Sequence, residues 1–212
     1  MEVLRAPEGV DSKVYDAITP EAMQQMVDIG HVAIEGAVKF RLAGIFTEVI
    51  GMEPQHVLTH NWGDENRRHL YISGDSKQMP KLRAMLNRLD QQALSSLARI
   101  VPGMGEVIFK SETSYTSQYY NIPGSIGEHQ DSTDCLCYVM SVGIRGEGHV
   151  GVWLPGVWNS EGDNPEPDFY YLMRAGDAML YRGSIPMLDE VELPGHTVTA
   201  IGERAIATVS HS

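Results

Sequence analysis

His129 and Asp131 stand two residues apart in "YNIPGSIGEHQDSTD". On an extended strand, residues i and i+2 face the same side, so an imidazole and a carboxylate can converge on one point. Two such ligands hold a cation weakly, and the C-terminal half offers His149, His196 and His211 as a third. A chain with 8 His and 28 Asp plus Glu contains His-x-Asp pairs by chance, so the pair takes its weight from its company. His196 has that company: it opens the strand-like "HTVTAI", a turn at Gly202–Glu203 follows, and Arg204 opens "RAIATVSH". Two His and one Asp on one face of a metal leave the opposite face open, an arrangement suited to non-haem Fe(II) and its oxygen chemistry. An arginine one strand away can hold the carboxylate of an organic acid at two points.

Other ligand types carry less. His56 and His60 have i, i+4 spacing, but their segment follows Pro54, is β-branched, and lacks the Glu that a His-Glu-x-x-His zinc helix requires. Cys135 and Cys137 read as small buried hydrophobes on one strand face, in a reducing, cytoplasmic setting. A formal net charge of −12 repels phosphate backbones and disfavours nucleic acid as a partner. "MEVLRAPEGVDSK" has no apolar core, so it does not read as a signal peptide, and no run approaches the roughly 20 apolar residues of a membrane span. A monomer or homodimer acting on a small molecule is the expectation.

The elements that must position these residues divide the 212-residue chain into a helical part, about 1–104, and a strand-rich part, about 105–212, of a single domain. Thr19, Pro20 and Glu21 form a helix start, and "HVAIEGAVKFRLAGIFTEVIG" reads as helix continuing beyond it. In "SKQMPKLRAMLNRLDQQALSSLARIV", Leu82, Leu86, Leu89, Ala93, Leu97 and Ile100 recur every three or four residues, the period of an amphipathic helix. Pro102 and Gly103 end it. From "EVIFKSETSYTSQYY" onward about seven short β-branched or aromatic runs are cut by Gly, Pro, Asp and Asn, which predicts a β-sandwich or barrel buttressed by helices.

Over roughly residues 113–212 the chain resembles the Fe(II)/2-oxoglutarate-dependent dioxygenases. "YNIPGSIGEHQD" is similar to that family's Tyr, Gly-containing turn and His-x-Asp. "GEGHVGVWLPG" stands at its Gly-rich turn, "RAGDAMLYRGSIP" at its Gly-Asp strand, and "HTVTAIGERAIATVSH" at its closing His…Arg segment. The resemblance implies an α+β fold, a double-stranded β-helix (a jelly-roll, cupin-like barrel) with N-terminal helices packed on the outside. It implies Fe(II) on His129, Asp131 and His196, with 2-oxoglutarate as cosubstrate, its distal carboxylate on Arg204, and O2. It further implies decarboxylation to succinate and CO2, coupled to hydroxylation of a small organic substrate such as an amino acid or a natural-product intermediate. Where many members carry Ser or Thr two residues past the arginine, this chain has Ile206, so Tyr120, Tyr138 or Thr208 must assist Arg204. Trp62, Arg67 and Arg68, in a segment that often overhangs the barrel mouth, and Trp153 are the substrate-contact candidates. Related halogenases replace the carboxylate by a small residue, so an intact Asp131 points to hydroxylation, desaturation, epoxidation or ring formation. The alternatives are a nucleobase or protein side-chain hydroxylase, and a cupin-like metal- or sugar-binding barrel without oxygenase activity.

Overall fold

In the computed structural model, strands β1 (Glu2–Arg5) and β2 (Val14–Tyr15) precede helix α1 (Pro20–Ile29). The structure describes residues 1–10, 13–39, 42–51, 67–73, 79–120, 124–131, 135–159, 163–188 and 192–212. Thr19 caps α1 as expected, its Oγ1 accepting from Ala22 N at 3.2 Å. Gly30, at φ 87°, closes the helix in the left-handed conformation. The predicted helical continuation stops there: His31–Ile34 is strand β3, whose β-branched Val32 and Ile34 suit a pleated surface better than a helix.

Helix α2 (Leu42–Gly51), strand β4 (Arg67–Ser73) and helix α3 (Pro80–Ile100) follow. The predicted apolar face of α3 is the buried one, with Leu82, Leu86, Ala93 and Leu97 fully buried; each such leucine stabilises the fold by about 2 kcal/mol. "EVIFK" belongs to helix α4 (Met104–Lys110) and not to the strand expected there, because Met104 and Val107 meet the core at helical spacing.

Eight strands complete the chain: β5 (Thr113–Tyr120), β6 (Gly124–Gln130), β7 (Leu136–Arg145), β8 (Glu147–Val152), β9 (Phe169–Arg174), β10 (Ala178–Arg182), β11 (Gly195–Ala200) and β12 (Arg204–His211). They form two facing antiparallel sets, β10-β7-β12-β5 and β9-β8-β11-β6, the jelly-roll arrangement of a double-stranded β-helix. The N-terminal part is not purely helical: β2, β3 and β4 extend the first sheet to seven strands, and β1 extends the second to five. Among the described residues, no helix is long and apolar enough to cross a membrane.

Two apolar cores result. One lies between the large sheet and the helices, the other between the two sheets. Strand alternation sorts β12 between them: Ala205, Ala207 and Val209 face the helices, while Arg204, Ile206, Thr208 and Ser210 face the barrel interior.

Tyr138, expected beside Arg204, faces the helices instead. Its hydroxyl donates to Asp90 Oδ1 of α3 at 2.6 Å, and His211 Nε2 lies 2.8 Å from the same oxygen. Tyr138 takes this face by regular alternation with Val139 and Ser141, which line the interior cavity. The register of β7 against β12 shifts around Cys137, a non-glycine residue at φ 65°, so that Cys137 and Tyr138 both face the helices. Cys135 and Cys137 consequently do not share a face: Cys135 lines the interior cavity and Cys137 is buried against the helices. Asp90→Ala should leave two buried partners without their acceptor and cost about 3 kcal/mol. A urea denaturation midpoint unchanged from the parent would refute this.

Candidate metal centre

His129 and Asp131 come from the end of β6 and the residue just beyond it, and His196 from the start of β11. Antiparallel pairing sets His129 opposite His196. The ligand atoms of the three residues lie within 4.8 Å of one another, with His196 Nε2 4.0 Å from Asp131 Oδ2 and the two imidazole centroids 4.1 Å apart. His129 Nδ1 lies 2.8 Å from Gly127 O, so this nitrogen is the N–H donor and Nε2 keeps its lone pair for a cation.

Burial, with no opposing influence, pushes His196 down to about 3, which keeps the ring neutral and able to ligate at ordinary pH. Burial also raises Asp131, against the lowering influence of His129. Asp131 Oδ2 is buried with no hydrogen-bond partner. An orphaned carboxylate oxygen facing two imidazoles is costly until a cation satisfies it. The residues therefore fit a divalent metal held on one face. Of the other third-ligand candidates, His149 lies on the exposed face of β8 and His211 is taken up by Asp90.

A cavity of about 360 Å³ runs from this cluster between the two sheets. Ile126, Val150, Met173 and Val198 form its apolar wall, and Ser114, Thr116, Ser141, Thr208 and Ser210 form a hydroxyl wall on the large sheet. Asp131 is the only carboxylate among the described lining residues. Arg204 is 1% exposed and donates through Nη2 to Met173 Sδ at 3.3 Å, a weak acceptor. On β8, Val152 pairs with His196 and Gly148 with Ala200, four residues or about 13 Å further along. Gly148 lies against Arg204 Nη1, so the guanidinium lines the same cavity as the metal cluster but further along the strands.

Sequence reasoning noted the glycine-rich turn without seeing this role for Gly148. A Cβ there would overlap Arg204 Nη1 and approach Thr199 O to 2.7 Å. Gly148→Ala should displace the guanidinium and weaken carboxylate binding about tenfold or more, with metal content unchanged. Calorimetric titration with 2-oxoglutarate checks it.

The remaining candidates separate. Thr208 lines the cavity on the hydroxyl wall, its Oγ1 3.3 Å from Ser141 Oγ. Tyr120 pairs through its backbone with Arg204, but its side chain lies outside the described residues. Arg67 and Arg68 lie on edge strand β4, paired with Tyr120 and Tyr119, and their side chains are likewise outside the description. Trp62, His56 and His60 fall in 52–66, beyond the described residues. Trp153 is fully buried, its indole donates to Pro165 O at 2.7 Å, and it is not among the residues that line the cavity. An aromatic residue just past a strand end carries no sequence signal that separates a packed indole from an exposed one.

No protein-family model and no curated protein matches the chain. Solved structures do. A prolyl-4-hydroxylase from Pseudomonas putida superposes with a TM-score of 0.55 at 12% identity, covering 91% of this chain and 97% of that one. An oxidoreductase of the 2OG-Fe(II) oxygenase family from Burkholderia pseudomallei superposes with a TM-score of 0.53 at 15% identity, covering 99% and 93%. The protein thus has the double-stranded β-helix fold of these oxygenases over nearly its whole length.

Proposed function

We propose that the protein is an Fe(II)/2-oxoglutarate-dependent oxygenase that hydroxylates a small polar organic substrate. The observation that carries this reading is the His129–Asp131–His196 cluster, which brings three ligand atoms within 4.8 Å of one another at the wall of a cavity. Fe(II) bound there, with 2-oxoglutarate and O2, supplies the oxidising power for attack on a C–H bond, and the cosubstrate leaves as succinate and CO2.

The chain's own residues provide orientation and dryness. Gly127 O fixes the tautomer of His129, and burial keeps His196 unprotonated. Arg204 would pair with the distal carboxylate of 2-oxoglutarate as a planar fork. Thr208 and Tyr120 remain the proposed assistants, and Arg67, Arg68 and Trp62 the proposed substrate contacts. The cavity lies between the two sheets, which would screen the reacting carbon from bulk water. A cavity at the small end of the usual ligand range, with one hydroxyl wall, suits a small hydrogen-bonding substrate.

Succinate formation from 2-oxoglutarate, assayed with and without Fe(II) over pooled metabolites, tests the reading. Fe(II)-dependent succinate that rises with one pool supports it. Protein that binds metal but never forms succinate would instead favour the cupin-like alternative.

A further inference from the structure

Helix α3 carries a second stripe beside its buried leucines. Lys81, Met85, Arg88 and Gln92 recur at spacings of four and three, so they share one helical face. That face closes one side of a cavity of about 810 Å³, bounded further by the start of α2, the residues before α1 and those after β3. The volume falls within the roughly 300–1,000 Å³ usual for ligand sites. The cavity shares no described lining residue with the one that holds His129, Asp131 and Arg204.

Its floor is apolar. Ile45 and Leu89 are buried core residues there, and Ile18, Val38 and Met85 are partly buried against the same core. Its rim is cationic. The turn at Gly36, with φ 57°, folds the Lys39 stem back, and a Cβ on Gly36 would meet its Cε at 4.0 Å. A Cβ on Gly44 of α2 would stand 3.7 Å from Lys81 Nζ. Glu48 does not neutralise that ammonium closely: its Oε2 accepts from the backbone nitrogens of Lys81 and Leu82 at 3.0 Å each, while Nζ stays 3.9 Å from Oε1. Lys39 and Arg88 pair with no carboxylate among the described residues. Asp16 is the only acid among the described lining residues, against Lys39, Lys81 and Arg88. In a chain of net charge −12, this is a local reversal of sign around an apolar hollow. Long cationic side chains lay their stems along apolar surface and keep their charged ends at its edge, and an apolar patch with a polar rim marks a ligand groove.

We propose that this cavity is a second ligand site that takes a small amphipathic carboxylate. The alkyl or aryl body lies against Ile18, Ile45, Met85 and Leu89, and the anionic head sits among Lys39, Lys81 and Arg88. The inference does not depend on the oxygenase reading. Calorimetric titration of decanoate into the full chain, below the concentration at which decanoate forms micelles, tests it. Wild type should bind decanoate, and should bind 1-decanol about fivefold or more weakly because the alcohol lacks the charge. Lys39→Glu combined with Arg88→Glu alters two exposed side chains, and should weaken decanoate binding about tenfold or more. Ala84→Trp, at an exposed helix position on the cavity wall, should abolish binding by filling the space. Arg204→Ala should leave decanoate affinity within about twofold, as expected for a distant site. No binding by wild type, equal affinity for decanol and decanoate, or wild-type affinity in the charge-reversed pair or in Ala84→Trp overturns the proposal. Loss of binding in Arg204→Ala overturns it too, since decanoate would then be entering the barrel. Binding to anionic lipid vesicles without any binding of free decanoate would assign the three cations to a membrane surface, and would equally overturn it.

Discussion

Asp131→Gly is expected to lose nearly all substrate oxidation, by 100-fold or more, because it removes one of three metal ligands and the negative charge that balances the cation. His129 and His196 remain, so metal still binds, more weakly. The buried Oδ2 of Asp131 has no hydrogen-bond partner in the described protein, so its removal leaves no new orphan, and the variant should fold. Metal content by elemental analysis, succinate yield and product mass decide the outcome together. Wild-type protein should add one oxygen to its substrate, or remove two hydrogens, and give no chlorinated product in high chloride. Chlorine incorporation by the wild type, or full activity in Asp131→Gly, would refute the assignment.

Arg204→Ala should raise the 2-oxoglutarate requirement on the order of 100-fold while leaving metal content nearly intact. Arg204→Lys should fare little better, since an ammonium cannot reproduce the planar fork and would sit differently in the tight space against Gly148. Arg182 and Arg174 are the other strand arginines a sequence reading would test, and neither is placed to substitute. Arg182 Nη1 donates to Val27 O at 2.8 Å, and Arg174 is half exposed and pairs with Glu2 at 3.0 Å. Wild-type affinity in Arg204→Ala would mean that another residue holds the carboxylate.

The cluster and its arginine were legible because strand periodicity is strict where backbone pairing is regular. The period of 2 along β12 puts Arg204, Ile206, Thr208 and Ser210 on one wall, and antiparallel pairing sets His129 opposite His196 although the register shifts between His196 and Val198. The same rule misplaced Cys135 and Cys137, because a single residue in the left-handed region, Cys137, shifts the register, and nothing in "DCLCY" announces it. "HVAI" was lost to helix because a run of three apolar residues fits either period, and only pairing with β10 settles it. Tyr181, whose ring stacks on that of His196, and Gly148 went unread for a different reason. Each acts on a residue brought near by the folding of another strand, His196 in one case and Arg204 in the other, and sequence spacing is blind to such neighbours.

The hydrogen bond that orients His129 has its acceptor two residues away on the same strand. Metal-binding imidazoles are often steadied by a carboxylate from elsewhere in the fold, and such a partner must be preserved whenever the surrounding segments are exchanged. Here the orienting group is a main-chain oxygen, which no substitution deletes. Grafting or diversifying the connections around the barrel mouth, such as the stretch between β8 and β9, would thus leave the protonation pattern of this ligand untouched. The metal end itself spans two paired strands, with His129 on β6 and His196 on β11, so it is this pairing that such changes must preserve.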